Sequence, residues 1–483
     1  MGVTSNLEPK KVFHYFEEIS KIPHGSYNTK QISDYLANFA KERGLDYVQD
    51  ELNNVLIYGL ASLGYEDAEP VLLQGHMDMV CEKVPGCPID MANEGIKLIV
   101  DGDWLKADGT TLGADDGMAV AMMLALLDPE EDYEHPALEC IFTVDEETGL
   151  EGAEGFDATL LHGNRMINLD SEDEGIITVS CAGGITGNGR LPVSREAYDG
   201  KVWNLKLTGL IGGHSGIEIN KERANANILI ARVFSELGDK VDYRLVCMKG
   251  GSADNVICKE TLAQFVSPAS DVEVADAIKA IQAVINDEYV LSDPDIRLEL
   301  TAADQPMFVP MDADSTGRVI SYLLNAPSGI INMSMGIKDL VETSLNLGAL
   351  KIDENEMTTL YCLRSSVKSR LDFVCRRLED ISRVLGGEIK FSLYYPGWEY
   401  RAESPLRDIC VEVFKAQYGY EPKIEAIHAG LECGFFAGKM GRDFDAVSIG
   451  PDLLNVHTPD EKASIPSTER TWKYLLGILK VLK

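Results

Sequence analysis

The stretch VLLQGHMDMV, residues 71–80, joins an apolar run to two side chains that can carry out chemistry. Its first residues are mostly apolar, which predicts a buried strand. His76 and Asp78 follow where that strand should end. Because residues i and i+2 of an extended segment face the same side, we expect the imidazole of His76 and the carboxylate of Asp78 to be neighbours. A pair this short does not identify a function, which depends on the residues of the rest of the chain.

The length and composition of the chain indicate a globular protein with more than one domain. Its 483 residues exceed the roughly 250–300 residues that one hydrophobic core supports. No apolar stretch approaches the roughly 20 residues of a membrane helix, and the first residues lack the apolar segment of a secretory signal. The ten cysteines are scattered, which favours reduced thiols and a cytoplasmic location over a disulfide framework.

The net charge of −34 argues against two classes of partner, nucleic acids and anionic membranes, because both require basic patches. Solubility accounts for most of the 78 acidic residues. A few of them follow strand-like runs, and solubility does not explain that placement.

Strand-like and helix-like segments alternate along the chain, which predicts a sheet covered by helices on its faces. After about residue 185 the pattern changes in a way that indicates either two strand-helix-strand layers in succession or one larger α+β unit. The first pattern returns near the C-terminus. The most economical layout is a discontinuous domain of residues 1–186 and 398–483, with a second domain of residues 187–397 inserted into it.

Four strand-like runs are followed by side chains that could bind a metal ion. In open α/β sheets, sites gather beyond the carboxyl ends of the strands, so these side chains could converge. Each one alone is more often a structural histidine or a solvated acidic turn. Adjacent acids beside apolar strands are unfavourable, however, unless a positive charge compensates them. Histidines and carboxylates together suit zinc, with manganese or cobalt also possible. The candidates are His76 and Asp78, Glu146 and Glu147, Asp170, and His457 after the four runs, with Asp115 and Asp116 in the loop before a small-residue helix.

Six motifs occur along the chain in the order GHMDMV, GADDG, DEETG, NLDSED, GGHSG and NVHTPDE. As an ordered set they resemble the cocatalytic zinc aminopeptidase and dipeptidase family, which includes aminoacylases and carnosine-cleaving dipeptidases. The resemblance covers nearly the whole chain. It implies a zinc-peptidase-type catalytic domain, with a mixed sheet flanked by helices, and an inserted α+β lid domain. Gly117 stands where many relatives carry lysine, a departure that is familiar in the branch that cleaves Xaa-His dipeptides.

The resemblance also implies two zinc ions per subunit and separate roles for the residues around them. Asp78 would orient a ligand imidazole, fixing its tautomer and raising its basicity. Glu146 would be the general base. The implied ligands are His76 and Asp170 for one ion, Glu147 and His457 for the other, and Asp115 as the bridge between them.

This assignment predicts a hydrolytic mechanism. Two metal ions about 3.5–4 Å apart can hold a bridging water and lower its pKa. Glu146 would take the proton of that water and return it to the leaving amine. His214 in GGHSG is a candidate donor to the oxyanion that forms. A serine nucleophile elbow would need glycine at Ile217, so that alternative fails, while an ordinary Gly-rich turn stays open.

The inserted domain contributes further candidates through the resemblance. His214 would belong to the lid and could reach the active site of a partner subunit, which implies a homodimer. Asn255 and Arg364 resemble lid residues that bind the terminal carboxylate of the substrate, and the planar fork of arginine suits a carboxylate. The alternative for Arg364 is a surface charge at a strand end. Glu432 and His428 lie in one segment and are candidates either for the substrate pocket or for contacts that support the metal ligands.

The resulting prediction is a cytoplasmic dinuclear zinc dipeptidase that hydrolyses Xaa-His and other dipeptides and binds neither nucleic acid nor membrane. One alternative is an N-acyl amino acid amidohydrolase with the same metals. The other is an inactive metal-binding homologue. Such a homologue should lack a ligand or the general base, and here all of them are present.

Overall fold

The computed structural model describes residues 2–128, 133–441 and 443–483. Eleven α-helices lie in these ranges. They are α1 (Lys10–Ile19), α2 (Lys30–Arg43), α3 (Ala114–Leu127), α4 (Glu151–Gly155), α5 (Ala226–Gly238), α6 (Asp271–Glu288), α7 (Ala313–Asn325), α8 (Lys368–Val384), α9 (Pro405–Tyr418), α10 (Cys433–Met440) and α11 (Ile465–Val481).

The strands of the described residues form two large and two small sheets. They are β1 (Tyr47–Gln49), β2 (Val55–Gly59), β3 (Val71–His76), β4 (Leu98–Asp101), β5 (Trp104–Ala107), β6 (Leu138–Thr143), β7 (Arg165–Asn168), β8 (Ile176–Cys181), β9 (Gly183–Pro192), β10 (Lys201–Thr208), β11 (Gly213–His214), β12 (Arg244–Gly250), β13 (Val256–Ile257), β14 (Thr261–Ser267), β15 (Arg297–Ala303), β16 (Gly329–Met333), β17 (Val341–Ile352), β18 (Glu356–Ser365), β19 (Glu388–Tyr395), β20 (Lys423–Ile427), β21 (Asp445–Ser448), β22 (Leu453–Leu454) and β23 (Lys462–Ser464).

The chain divides into two compact units. The first contains the residues up to Ser180 with Tyr400–Ala426 and Leu431–Lys483, and the second contains Cys181–Glu399 with Ile427–Gly430. The sequence placed the inserted domain at residues 187–397. In the structure the second unit begins earlier, because β9 pairs along its whole length with β18 and along most of its length with β19.

The first unit is built on an eight-stranded mixed sheet in the order β1-β2-β6-β3-β7-β21-β8-β20. Its four central strands, β6, β3, β7 and β21, pair in parallel. All six residues of β3 are buried. Because successive side chains point to opposite faces, both faces of the sheet are covered there. The helix α3 packs against β3, and α9 packs against β21. This mixed sheet with flanking helices has the predicted architecture.

A small four-stranded sheet in the same unit, in the order β22-β23-β5-β4, supports the loop that contains His457. The strands β22 and β23 pair antiparallel on either side of this loop. β23 pairs in turn with β5. The loop is therefore closed at its base and tied to the rest of the unit.

The second unit contains an antiparallel sheet in the order β15-β10-β14-β12-β17-β18-β9-β19, with β16 also paired to β17. Helices α5 to α8 share one apolar core with this sheet, to which Phe234 of α5, Phe265 of β14, Val319 of α7 and Leu378 of α8 contribute. The combination of an antiparallel sheet and packed helices is the α+β arrangement expected for the inserted domain.

The ends of two helices show ordinary capping. Gly44 follows α2 with a left-handed φ of 69°, which is typical of a C-terminal cap. The side chain of Ser464 caps the start of the last helix, α11, by accepting the backbone N–H of Ser467. Pro466 lies in the first turn, where the missing N–H of proline is tolerated. None of the described helices combines the length and apolar character that a membrane span requires.

Candidate metal centre

The carboxyl ends of four neighbouring parallel strands meet at one edge of the first unit's large sheet, and the candidate metal ligands follow them. His76 ends β3, while Glu147 follows β6 and Asp170 follows β7. His457 lies in the loop beyond β21, between β22 and β23. The strand order places β6, β3, β7 and β21 side by side, so the sheet itself brings these distant residues together.

Asp115 lies between the two histidines of this cluster. Its Oδ1 is 3.1 Å from Nε2 of His76, and its Oδ2 is 3.1 Å from Nε2 of His457. Two ligands about 2.1 Å from one zinc ion are about 3.4 Å apart in tetrahedral geometry. The distance of 3.1 Å from each carboxylate oxygen of Asp115 to Nε2 of its histidine is close to this ligand-to-ligand distance. The two oxygens of Asp115 therefore face different histidines.

Each histidine has a second acidic neighbour. Nε2 of His76 lies 3.6 Å from Oδ1 of Asp170, and Nε2 of His457 lies 2.9 Å from Oε2 of Glu147. Potential ligand atoms of Asp115, Glu147 and His457 all lie within 4.8 Å of one another. The structure thus brings all five predicted metal ligands to one edge of the sheet, where His76 and Asp170 also form a group with Asp116.

The chemistry of this donor set fits divalent cations. Oε1 of Glu147 is buried and has no hydrogen-bond partner among the described residues. An unpaired buried carboxylate oxygen is unfavourable, and a cation would compensate it. Burial, together with the charges of Asp115 and Glu147, raises the pKa of Asp170 to about 6 despite the opposing effect of the nearby His76. Cations at this edge would relieve the mutual repulsion of these acids.

Asp78 contacts both His76 and Glu146. Its nearest contact with the imidazole is made by its backbone oxygen, whereas the prediction had its carboxylate orienting the ring. Nδ1 of His76 lies 2.9 Å from the backbone oxygen of Asp78 and 3.4 Å from its carboxylate. The backbone oxygen is thus the nearer acceptor, and it leaves Nε2 of the ring for a metal. The carboxylate of Asp78 accepts hydrogen bonds from the backbone N–H of Glu146 (3.1 Å) and from the hydroxyl of Ser26 (2.8 Å).

Glu146 has the environment of a proton acceptor. Its pKa is raised well above the usual value by burial and by the charges of Asp170, Glu432 and Glu147, against the opposing charge of His76. A carboxylate with a raised pKa is a stronger base than an ordinary one, which suits a group that takes up and returns a proton.

Asp116, which groups with His76 and Asp170, supports the end of β3. The backbone angles of both residues are non-helical although they lie at the start of α3. Oδ2 of Asp116 accepts the backbone N–H of His76 at 3.2 Å. A Cβ at Gly75 would lie 2.4 Å from that oxygen, so glycine is required for this close approach.

Glu432 does not lie where a substrate could touch it. Its exposed fraction is 0%, and its Oε2 accepts hydrogen bonds from Gln74 and from the hydroxyl of Thr143. Gln74 is linked in turn to Asn168. Burial raises the pKa of Glu432 to about 7. The structure therefore corrects the substrate-binding prediction: Glu432 belongs to a buried polar network below the ends of β3, β6 and β7.

His214 lies in the second unit and has a defined tautomer. Its Nδ1 accepts the backbone N–H groups of Gly216 (3.2 Å) and Ile217 (3.3 Å). The ring proton is therefore on Nε2. Burial and the charge of Arg364 lower the pKa of His214, so the neutral ring is favoured. A neutral imidazole with a free Nε2–H group is a hydrogen-bond donor.

Arg364 is close to His214 and is not the surface charge of the alternative interpretation. Its exposed fraction is 7%, and Nη1 donates to the hydroxyl of Tyr395 at 2.8 Å. Nε of Arg364 is buried without a hydrogen-bond partner in the described part of the chain. Nε2 of His428 pairs with the hydroxyl of Ser344 at 2.7 Å. This part of the second unit therefore combines positive charge with unused donors.

Asn255 differs from these residues in being exposed. Its backbone oxygen accepts the N–H of Ser215 at 2.8 Å, which joins its loop to the one that carries His214. The binding of a substrate carboxylate by Asn255 stays a prediction.

The sequence did not reveal several residues that support the candidate side chains within their own units: Ser26, Gln74 and Glu461 in the first unit, and Ser344 and Tyr395 in the second. Most of them are common residue types without a local signal. Glu461 is different, because it lies inside the motif NVHTPDE, four residues after the ligand candidate His457.

Comparisons with known proteins agree with this geometry. The model of "Peptidase family M20/M25/M40" matches residues 72–481. The chain is 37% identical to the cytosol non-specific dipeptidase of Escherichia coli K12, over 99% of both chains. Its structure is similar to that of aminoacylhistidine dipeptidase from Vibrio alginolyticus, with a TM-score of 0.95, 35% identity and coverage of 99% and 98% of the two chains. A more distant likeness, to aminopeptidase PepT from Bacillus cereus, has a TM-score of 0.58 and 15% identity over 99% of both chains and concerns the fold alone.

Proposed function

Since the chain belongs to peptidase family M20/M25/M40, we propose that it is a cytoplasmic dipeptidase with two zinc ions at the edge formed by β6, β3, β7 and β21. The family resemblance inferred from the motifs is thereby confirmed. Relatives with 37% and 35% identity over nearly the whole chain carry the names of dipeptidases, one of them aminoacylhistidine dipeptidase. The substrates proposed here are Xaa-His and other dipeptides.

One observation carries the proposal of a two-metal reaction: Asp115 presents one oxygen to His76 and the other to His457, each at 3.1 Å. His76 and Asp170 would hold one ion, and Glu147 and His457 the other. When bound, a pair of zinc ions lowers the pKa of a water molecule and polarises the carbonyl of the substrate.

The protein's own residues would move the protons. Glu146 would accept the proton of the attacking water on its carboxylate and deliver it to the nitrogen of the leaving amine. The carboxylate of Asp78 would keep Glu146 in place by accepting the hydrogen bond of the backbone N–H of Glu146. His214 would donate its Nε2–H to the oxyanion, and Arg364 and Asn255 would bind the terminal carboxylate of the dipeptide.

The substitution Glu146→Gln tests this function. It keeps the size of the side chain and removes the proton acceptor, so kcat should fall by about 10²–10⁴-fold, the usual range for a general base. The zinc content should stay at the wild-type level. Wild-type activity in a zinc-loaded Glu146→Gln protein would contradict the mechanism.

The substrate class requires its own assay. A panel of Xaa-His and other dipeptides should be hydrolysed, and matched N-acetyl amino acids should not. The reverse result would identify an N-acyl amino acid amidohydrolase instead.

We further propose that the protein acts as a homodimer and binds neither nucleic acid nor membranes. The charge of −34 supports the second part. Sedimentation of the zinc-loaded protein at micromolar concentration should give about twice the mass of one chain, and a monomer at all concentrations would refute the dimer.

A further inference from the structure

Glu461 is a buried carboxylate that connects the loops carrying Asp115 and His457. It is the last residue of the β22–β23 loop, immediately before β23, and its exposed fraction is 3%. A carboxylate is placed in the interior only where donors compensate its charge. The donors of Glu461 come from the loop that leads into α3.

Four consecutive backbone N–H groups donate to this carboxylate. Oε2 accepts from Leu112 at 2.7 Å and from Gly113 at 3.0 Å, while Oε1 accepts from Ala114 at 2.8 Å and from Asp115 at 3.4 Å. The first N–H groups of a helix lack partners within the helix, and hydrogen bonds to a charged acceptor are stronger than neutral ones. Glu461 therefore fixes the backbone of Asp115 and of the three residues before it.

Glu461 is also held within its own loop, the one that carries His457. The backbone N–H of Glu461 donates to the oxygen of Thr458 at 3.0 Å, and β23 begins at the next residue. Asp115 and His457 are 342 positions apart in the chain, yet Oδ2 and Nε2 lie 3.1 Å from each other. Apart from the sheets, Glu461 is a direct connection between their two loops.

We propose that Glu461 is a positioning residue that sets the spacing of Asp115 and His457 and thereby the affinity for the metal ion that they share. The inference rests on the proposed two-metal centre. Glu461 does not touch the ion. It would act by keeping the carboxylate of Asp115 at a fixed distance from the imidazole of His457 on the other loop. Outer residues that orient ligands typically contribute about 10–100-fold to metal affinity.

A purely structural role is the alternative, and Glu139 provides a matched control. Glu139 is also buried, and its carboxylate accepts the backbone N–H groups of His162 at 2.9 Å and Gly163 at 3.1 Å. It lies near the start of β6, at the end of the strand away from the metal ligands. Replacing either glutamate by glutamine keeps the volume and removes the charge.

The experiment dialyses the zinc-loaded wild type, Glu461→Gln and Glu139→Gln against buffers of graded free zinc and measures the bound zinc. Wild type should bind two ions. In Glu461→Gln, one of the two affinities should fall by about 10–100-fold, whereas Glu139→Gln should stay close to wild type at both sites. Equal zinc affinities in Glu461→Gln and Glu139→Gln would overturn the proposal. A wild type that binds fewer than two ions would instead refute the two-metal centre.

A second variant tests the proposal if Glu461→Gln does not fold. Glu461→Asp retains the charge but shortens the reach to the four N–H groups. The increase in Tm on adding zinc should be smaller in Glu461→Asp than in wild type. An equal increase would also overturn the proposal.

Discussion

Two clusters of histidine and charged residues, one in each unit, shift the pKa of histidine in opposite directions. In the first unit, hydrogen bonds to Asp115 and Glu147 raise the pKa of His457 to about 10. In the second, burial and the charges of Arg364 and His214 lower the pKa of His428 to about 3. The residue type is the same, and the neighbours decide which protonation state is favoured.

The contrast separates what each cluster can bind. The acidic edge of the first unit favours positive charge, which suits cations. The cluster of the second unit disfavours further positive charge, and Nε of Arg364 has no hydrogen-bond partner among the residues that the structure describes. Such a cluster suits an anion, for example a carboxylate. Substitutions in the two clusters should therefore change different measured quantities.

The largest effect is expected at the acidic edge, from Asp115→Ala. Losing the carboxylate that faces both His76 and His457 should reduce bound zinc from two ions to one or none. Activity should fall by about 10³-fold, the equivalent of several kcal/mol of lost electrostatic stabilisation in the transition state. Zinc analysis and kcat/KM of the same preparation test this prediction. Retention of two ions would show that Asp115 is not the bridge.

An intermediate effect concerns Glu432 below the same edge. Its folded-state pKa of about 7 exceeds its ordinary value of 4.5. The folded state therefore holds this proton more tightly than the unfolded state does. The resulting stabilisation is present below pH 4.5 and disappears as the pH rises through 7.

Zinc-free wild type should accordingly lose up to about 3 kcal/mol of unfolding free energy between pH 5 and pH 9 through Glu432. Glu432→Gln removes the titrating group, so its unfolding free energy should decline less over that range. Urea unfolding of both zinc-free proteins at several pH values measures the difference. If the unfolding free energies of the two proteins change equally with pH, Glu432 is ionised over the whole range from pH 5 to pH 9.

The acidic edge was largely predictable from sequence because its signal is local and repeated. Each of four apolar runs is followed by potential ligands, and parallel strands that lie side by side end at one edge. The contacts of Asp78 were less predictable. The i, i+2 rule placed its side chain near His76, but the backbone oxygen is the closer acceptor.

The second unit was harder to predict because much of its structure depends on long-range packing. The strand β9, GGITGNGRLP, contains four glycines, a composition that does not favour strands. In the folded chain the glycines allow close approach: a Cβ at Gly184 would lie 2.4 Å from the ring of Tyr395. Similarly, the four N–H groups around Glu461 meet it only after residues from opposite ends of the chain have folded together.

The smallest of these effects is expected in the second unit, from Arg364→Lys. Lysine keeps the positive charge but loses the planar fork and cannot pair with a carboxylate in two parallel hydrogen bonds. One hydrogen bond between charged groups contributes about 1.5–3 kcal/mol, so kcat/KM for dipeptides should fall by about 10–100-fold, mainly through KM. Bound zinc should stay at two ions, in contrast to Asp115→Ala. A dipeptide amide, which lacks the terminal carboxylate, should be cleaved equally by wild type and Arg364→Lys. An equal loss on both substrates would show that Arg364 supports the fold of its own unit instead of binding a carboxylate, and the contrast between a cation site and an anion site would then fail.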